Sequence, residues 1–149
     1  MARVLRGVVL DAGPVISLLL GDPAAADVAR NLKGVDSLRI SVVNVAEISD
    51  VMRRVHRIPA DAAATAVDRF LDEVAQPIAT TREQAVRAAD IRVRYYDRRD
   101  RDISLADCFV VAVAGPGDTV ATSDRAVADI ARTEGLDVIA LPNPRGRRP

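Results

Sequence analysis

The chain has 149 residues, 49% of them hydrophobic, which suits one domain with a full core. Its 21 basic and 21 acidic residues cancel, so no global positive field draws a nucleic acid, and any such partner must be gripped by local patches. The single cysteine, Cys108, excludes an internal disulfide and a cysteine-built zinc site. No apolar run reaches the roughly 18 residues of a membrane span, and the start lacks a signal-peptide pattern, so a soluble, cytoplasmic protein is expected.

The run Gly7-Val8-Val9-Leu10 reads as a strand buried on both faces of a parallel sheet, with Asp11 at its carboxyl end. Gly13-Pro14 then turns the chain into an apolar helix, Val15 to Leu20. Asp11 either lies in the crevice where open α/β sheets place their ligands or caps that helix, and this stretch alone leaves both readings open. Asp22-Pro23 looks like an N-cap with proline at the first helical position, starting a helix to about Leu32 that Gly34 stops. Leu38 to Val42 alternates as a short strand. Val43 to Arg57 carries Val45, Ile48, Val51, Met52 and Val55 at helical spacing. Glu47 falls beside that stripe, either snorkelling along the helix flank or facing a site. Asp50 and Arg54 make an i,i+4 surface pair, and His56, the only histidine, reads as solvated among arginines.

Pro59 precedes a helix from about Ala60 to Val74 whose apolar face includes Ala63, Val67 and Phe70, and Gln76 to Ala79 reads as a short edge strand. Thr81 and Gln84 form a capping box for a helix to about Tyr96. Arginines crowd its end, from Arg92 to Arg101, interleaved with Tyr95, Tyr96, Asp97 and Asp100 and followed by Asp102. Arginine beside aromatics can hold phosphates and stack bases, whereas the acids favour a solvated helix end. Ser104 and Asp107 form a capping-box variant at the start of an apolar helix, in which Cys108 reads as a buried thiol. Asp107 stacks over Val110, Val111 and Ala114, where an unpartnered carboxylate costs several kcal/mol unless a cap amide or a cation meets it. Thr119 to Thr122 is a strand, and Asp124 beyond its carboxyl end repeats the placement of Asp11, again with a plain N-cap as the alternative. A helix from Arg125 to about Thr133, a last strand from Val138 to Leu141, and a basic, disordered tail over residues 142–149 complete the reading.

Alternating strands and helices imply a parallel sheet with helices on both sides, and right-handed crossovers align the carboxyl ends of the strands. Asp11 and Asp124 then share one sheet edge, and Glu47 and Asp107 can reach the same cleft. Carboxylates about 4 Å apart repel by roughly 1 to 4 kcal/mol per pair. A hard divalent cation relieves this, and an oxygen-only donor set points to Mg²⁺ or Mn²⁺. Such ions hold phosphate oxygens and lower the pKa of water, so phosphodiester hydrolysis is the chemistry the four acids suit.

The segments Val8-Val9-Leu10-Asp11, Asn44-Val45-Ala46-Glu47, Ser104-Leu105-Ala106-Asp107 and Thr122-Ser123-Asp124, in this order and spacing, resemble the PIN domain. The match is specifically to VapC-type toxins of bacterial toxin–antitoxin pairs, and it extends to about Leu141. The resemblance implies a three-layer α/β/α fold with a central, mainly parallel sheet over residues 1–141. It also implies a metal-dependent endoribonuclease whose catalytic and metal-binding acids are Asp11, Glu47, Asp107 and Asp124, with Asp124 completing the Mg²⁺ or Mn²⁺ site directly or through water. An RNA substrate, a homodimer and a cognate VapB-like antitoxin are implied as well. Ala12 departs from the Ser or Thr that many relatives carry, leaving Ser104 or Thr122 to orient ligands or substrate. Ala126 stands where relatives often have a further acid, which bears on a second metal site.

The rival of another class is a PIN-fold module that binds RNA or protein without catalysis. A receiver domain would need a suitably placed lysine, and the sole lysine, Lys33, lies in a helix-to-strand turn. Asp11-Ala12-Gly13 lacks the Asp-x-Asp of haloacid-dehalogenase-type phosphatases, and no Gly-rich loop ends in Gly-Lys-Ser/Thr.

Overall fold

The computed structural model describes residues 7–149, so the expected domain start at residue 1 lies outside the described residues. Elements follow one another as β1 (Val8–Leu10), α1 (Ala12–Leu20), α2 (Ala25–Leu32), β2 (Leu38–Ser41), α3 (Val42–Arg54), α4 (Ala60–Glu73), β3 (Gln76–Ile78), α5 (Arg82–Tyr95), α6 (Leu105–Val113), β4 (Thr119–Thr122), α7 (Arg125–Thr133) and β5 (Asp137–Ala140). All five strands are parallel, in the order β3-β2-β1-β4-β5. From β1 the chain winds outward to β3 on one side, then returns to add β4 and β5 on the other. The reversal falls between β1 and β4, where open α/β sheets leave a crevice at the carboxyl ends of their strands.

Side-chain alternation along the central strand divides the core. Val8 and Leu10 pack with Val15, Ile40, Ile48, Met52 and Phe70 under α1 to α4. Val9 packs with Ile91, Val110, Val111, Val120, Val127 and Ile130 under α5 to α7. Both faces of β1 are therefore covered, as the unbroken apolar run predicts, and helices lie on both sides of the sheet. Cys108 is buried, and burial pushes its thiol pKa up to about 11. Among the described residues no helix is long and apolar enough to cross a membrane.

Several boundaries differ from the sequence reading, each for a local reason. Gly13 and Pro14 do not precede α1 but form its first turn, because Asp11 itself is the N-cap and a proline costs nothing where the N–H has no helical partner. Asp22 closes a turn onto Ala24 and Ala25 rather than capping α2, which starts at Ala25. In α3 the buried stripe runs through Asn44, Ile48 and Met52, and the expected stripe member Val55 lies beyond the helix end and is exposed. The arginine-rich end of α5 is largely committed within the fold. Arg92 donates to the Ile103 carbonyl and lies over Tyr96, Arg94 pairs with Glu134, and Arg101 lies over Tyr95. At the amino end of the sheet, away from the crevice, Arg39 and Asp118 form an ion pair at 2.6 Å that no local pattern announced.

Candidate active site

Asp11 leaves the carboxyl end of β1 and is only 4% exposed. Its Oδ1 accepts from the Ala12 amide at 2.7 Å, and its Oδ2 accepts from the Thr122 hydroxyl at 2.6 Å. Burial lifts its pKa from the ordinary 3.8 to about 7 despite the opposing Thr122 hydrogen bond, and the nearby charges of Asp107 and Glu47 add to the rise. The Thr122 hydroxyl oxygen also accepts the Asp124 amide at 3.0 Å, so one side chain ties the ends of β1 and β4 together. The hydroxyl missing at Ala12 is thus supplied from the neighbouring strand.

Asp124 caps α7 by accepting from the Val127 amide at 3.0 Å. Asp107 accepts from the Ser104 amide at 2.7 Å while its own amide donates to the Ser104 hydroxyl, which completes the capping box of α6. Burial raises the Asp107 pKa, the Ser104 bonds oppose this, and Asp124 adds repulsion. Glu47, in the second turn of α3, is likewise pushed upward, first by burial and then by the charges of Asp107, Asp124 and Asp50. Its Oε2 accepts from Asn44 Nδ2 at 3.1 Å, and the same nitrogen donates to the Ala106 carbonyl at 3.1 Å. Asn44, fully buried, therefore braces α3 against the first turn of α6. Both neighbours of that nitrogen are acceptors, which sets the amide's orientation and leaves Asn44 Oδ1 without a partner.

These side chains meet. Asp11, Glu47, Asp107 and Asp124 line one cavity of about 350 Å³ together with Ala12, Gly13, Ile16, Ser123 and Asn143. A larger groove of about 1110 Å³ lies elsewhere, between α1, α2 and α4, but its lining of Leu18, Leu19, Leu32 and Phe70 is mainly apolar and lacks this cluster. The capping and the cleft readings of the aspartates are both realised, since a carboxylate can hold a helix N–H and still border the crevice. Among the described residues, however, no three acids stand close enough to hold an ion as they are. Each carboxylate rests on a donor of its own. By type the donors fit a hard divalent cation, because the cavity offers oxygen ligands and neither imidazole nor thiolate. A buried carboxyl lifted to about 7 in a cleft is also a mark of functional sites.

Thr122, a sequence candidate for orienting ligands or substrate, donates to Asp11 and accepts from the Asp124 amide. Asn44 and Asn143 carry no role in the sequence reading. The signal for Asn44 was its place three residues before Glu47 on the inner face of α3, hidden because only apolar residues define a stripe. Asn143 had no signal, since only the paired ends of β4 and β5 bring it to the cavity.

A family model described as PIN domain matches residues 8–135. No curated protein matches the chain by sequence. Among solved structures, FitAcB from Neisseria gonorrhoeae is 22% identical, with a TM-score of 0.60, covering 93% of this chain and 98% of its own. VapC20 of Mycobacterium tuberculosis, described as a sarcin–ricin loop cleaving toxin, is 18% identical with a TM-score of 0.60, covering 87% and 85%. DNA-bound VapBC from Salmonella typhimurium is 15% identical with a TM-score of 0.66, covering 90% and 97%. Identities this low speak for the fold, and the family match spans most of the chain: it belongs to the PIN domain family.

Proposed function

We propose that this PIN-domain protein is an endoribonuclease dependent on Mg²⁺ or Mn²⁺, acting as the toxin of a toxin–antitoxin pair. The observation that carries this reading is the convergence of four carboxylates at the switch point of the sheet, one of them buried with its pKa at about 7. Asp11, Glu47 and Asp107 would hold the cation, with Asp124 completing the site directly or through water. When bound, such an ion holds phosphate oxygens, eases deprotonation of water and offsets charge on the leaving oxygen.

The chain's own part is orientation. The Ser104 amide occupies Asp107 Oδ2 and Asn44 occupies Glu47 Oε2, so in these two acids one oxygen is fixed by the protein, while both oxygens of Asp11 are held, Oδ1 by the Ala12 amide and Oδ2 by Thr122. Fixing one oxygen sets the plane of the carboxylate and aims the other. Preorganised groups of this kind lose little on closing around a charge.

A VapB-like antitoxin as partner is supported by the neighbours, which include toxin–antitoxin complexes from Klebsiella pneumoniae and Rickettsia felis. RNA as substrate is supported by the cleaving activity named for VapC20 and by the suitability of the acidic site for phosphodiesters. A homodimer and a cytoplasmic location belong to the same reading. The rival reading is a PIN-fold module that binds RNA or protein without cleaving.

Incubating total cellular RNA with the purified chain, in Mg²⁺ or Mn²⁺ and in EDTA, beside Asp11→Asn, separates the two. Fragments that need the metal and vanish in the variant are expected. Fragments that persist in EDTA would overturn the metal site, and intact RNA together with no Mn²⁺ binding would establish the module.

A further inference from the structure

We infer that the segment following β5, residues 142–148, is a hook that grips RNA phosphates at the mouth of the acidic cavity, with Arg145 and Arg147 as the gripping cations. The inference rests on the RNA reading of that cavity and adds the element that holds the polyanion there. β5 pairs with β4 in parallel through Thr122↔Ala140, so the chain leaves β5 at the same sheet edge where Asp124 follows β4. The segment stays at that edge. The Leu141 amide donates to the Thr122 carbonyl at 2.8 Å, Leu141 and Pro142 are buried, and Asn143 lines the cavity.

From Asn143 the chain closes on itself instead of trailing into solvent. Asn143 Oδ1 accepts from the amides of both Arg145 and Arg147, each at 3.0 Å. The Asn143 amide donates to the Arg147 carbonyl, and the Gly146 amide donates to the Asn143 carbonyl, both at 2.8 Å. Gly146 supplies the positive φ of 75° that the turn requires. Arg148 Nη1 donates to the Ala140 carbonyl at 2.7 Å, which fastens the far side of the hook to β5. The stretch read from sequence as a disordered tail thus carries its own hydrogen-bonded turn, with two arginine backbones held by a side chain that lines the acidic cavity.

Arg145 and Arg147 are exposed, and among the described residues neither guanidinium takes part in an ion pair or a hydrogen bond. Arg39, Arg92 and Arg94, by contrast, are committed within the fold. A pocket of four carboxylates repels a phosphodiester, and a chain with no net charge supplies no compensating field from afar. Cations on a segment anchored at the cavity through Asn143 offset that repulsion locally, and the guanidinium fork matches paired phosphate oxygens.

The test is the affinity of the full chain for a short fluorescein-labelled single-stranded RNA, by anisotropy across a salt series in EDTA, where no cleavage occurs. Arg145→Gln/Arg147→Gln is expected to bind roughly tenfold more weakly, with the slope of log Kd against log salt reduced by about 1.4 for two lost phosphate contacts. Arg53→Gln/Arg57→Gln removes the same charge elsewhere and should bind like the parent. Asn143→Ala removes no positive charge yet should also weaken binding, because it releases the hook. In cleavage assays the double variant should raise KM and leave kcat unchanged. Equal losses in the two double variants, or an unchanged salt slope, would overturn the hook while leaving the nuclease standing. RNA binding that needs Arg145 and Arg147 in a chain that never cleaves RNA would do the reverse. A parent chain that binds no RNA would overturn the hook outright.

Discussion

Asp11 couples the stability of the fold to pH. Its folded pKa of about 7 lies above the ordinary 3.8, so between those values the folded state keeps a proton that the unfolded state has released. Stability therefore falls as pH rises from about 4 to about 7 and levels off above that. Glu47 and Asp107 are shifted the same way and add to the trend. Between pH 5 and pH 8, Asp11 alone accounts for about 3 kcal/mol, at 1.36 kcal/mol per pKa unit. Urea unfolding in EDTA should show wild type losing that stability over the range, and Asp11→Asn, which has no charge to desolvate, keeping most of it. Parallel curves for the two proteins would mean that Asp11 is ionised and adequately solvated in the fold. Asp11→Asn should meanwhile abolish cleavage, so the change that stabilises the fold at pH 8 removes the activity.

Helix starts were the most legible elements, because a cap is a local code. Thr81 with Gln84, Ser104 with Asp107, and Asp124 ahead of α7 all form the bonds their spacing predicts. Prolines misled where they sit inside or just before a first turn, at Pro14 and Pro23, since proline marks a boundary without saying on which side of it the helix begins. Asn44 was illegible for a different reason. Its partners, Glu47 and the Ala106 carbonyl, lie on two helices that sequence alone does not bring together. Asn44→Leu keeps the branching at Cγ while leaving the Ala106 carbonyl and Glu47 without their shared donor. A loss of roughly 1 to 3 kcal/mol is expected from the unsatisfied buried acceptor. Mn²⁺ affinity should also fall by about 10- to 100-fold, as when an outer partner of a metal ligand is removed. Mn²⁺ titration followed by electron paramagnetic resonance reads the second effect separately, and unchanged affinity with lowered stability would reduce Asn44 to a brace.

At the scale of the whole molecule, the site is a property of strand order. The sequence lists five strands but does not say that β1 lies at the centre with β4 beside it, and only that arrangement puts Asp11 and Asp124 on neighbouring strand ends. The α3 and α6 starts then deliver Glu47 and Asp107 from two further segments, so the cavity draws on four distant stretches of the chain. An ion joining them would bind the folded state alone. A ligand of that kind at 100 times its Kd stabilises by about 2.7 kcal/mol. Mg²⁺ or Mn²⁺ should thus raise the Tm of wild type by several degrees, more at pH 8 than at pH 5, because protons compete for the raised carboxyls. Asp107→Asn can still accept the Ser104 amide and so keeps the α6 cap. It should fold normally in EDTA, lose the Tm rise and cleave no RNA. If that variant kept the full metal-dependent rise, the ion would lie elsewhere. If it kept full activity, Asp107 would be only the helix cap that its hydrogen bonds already make it.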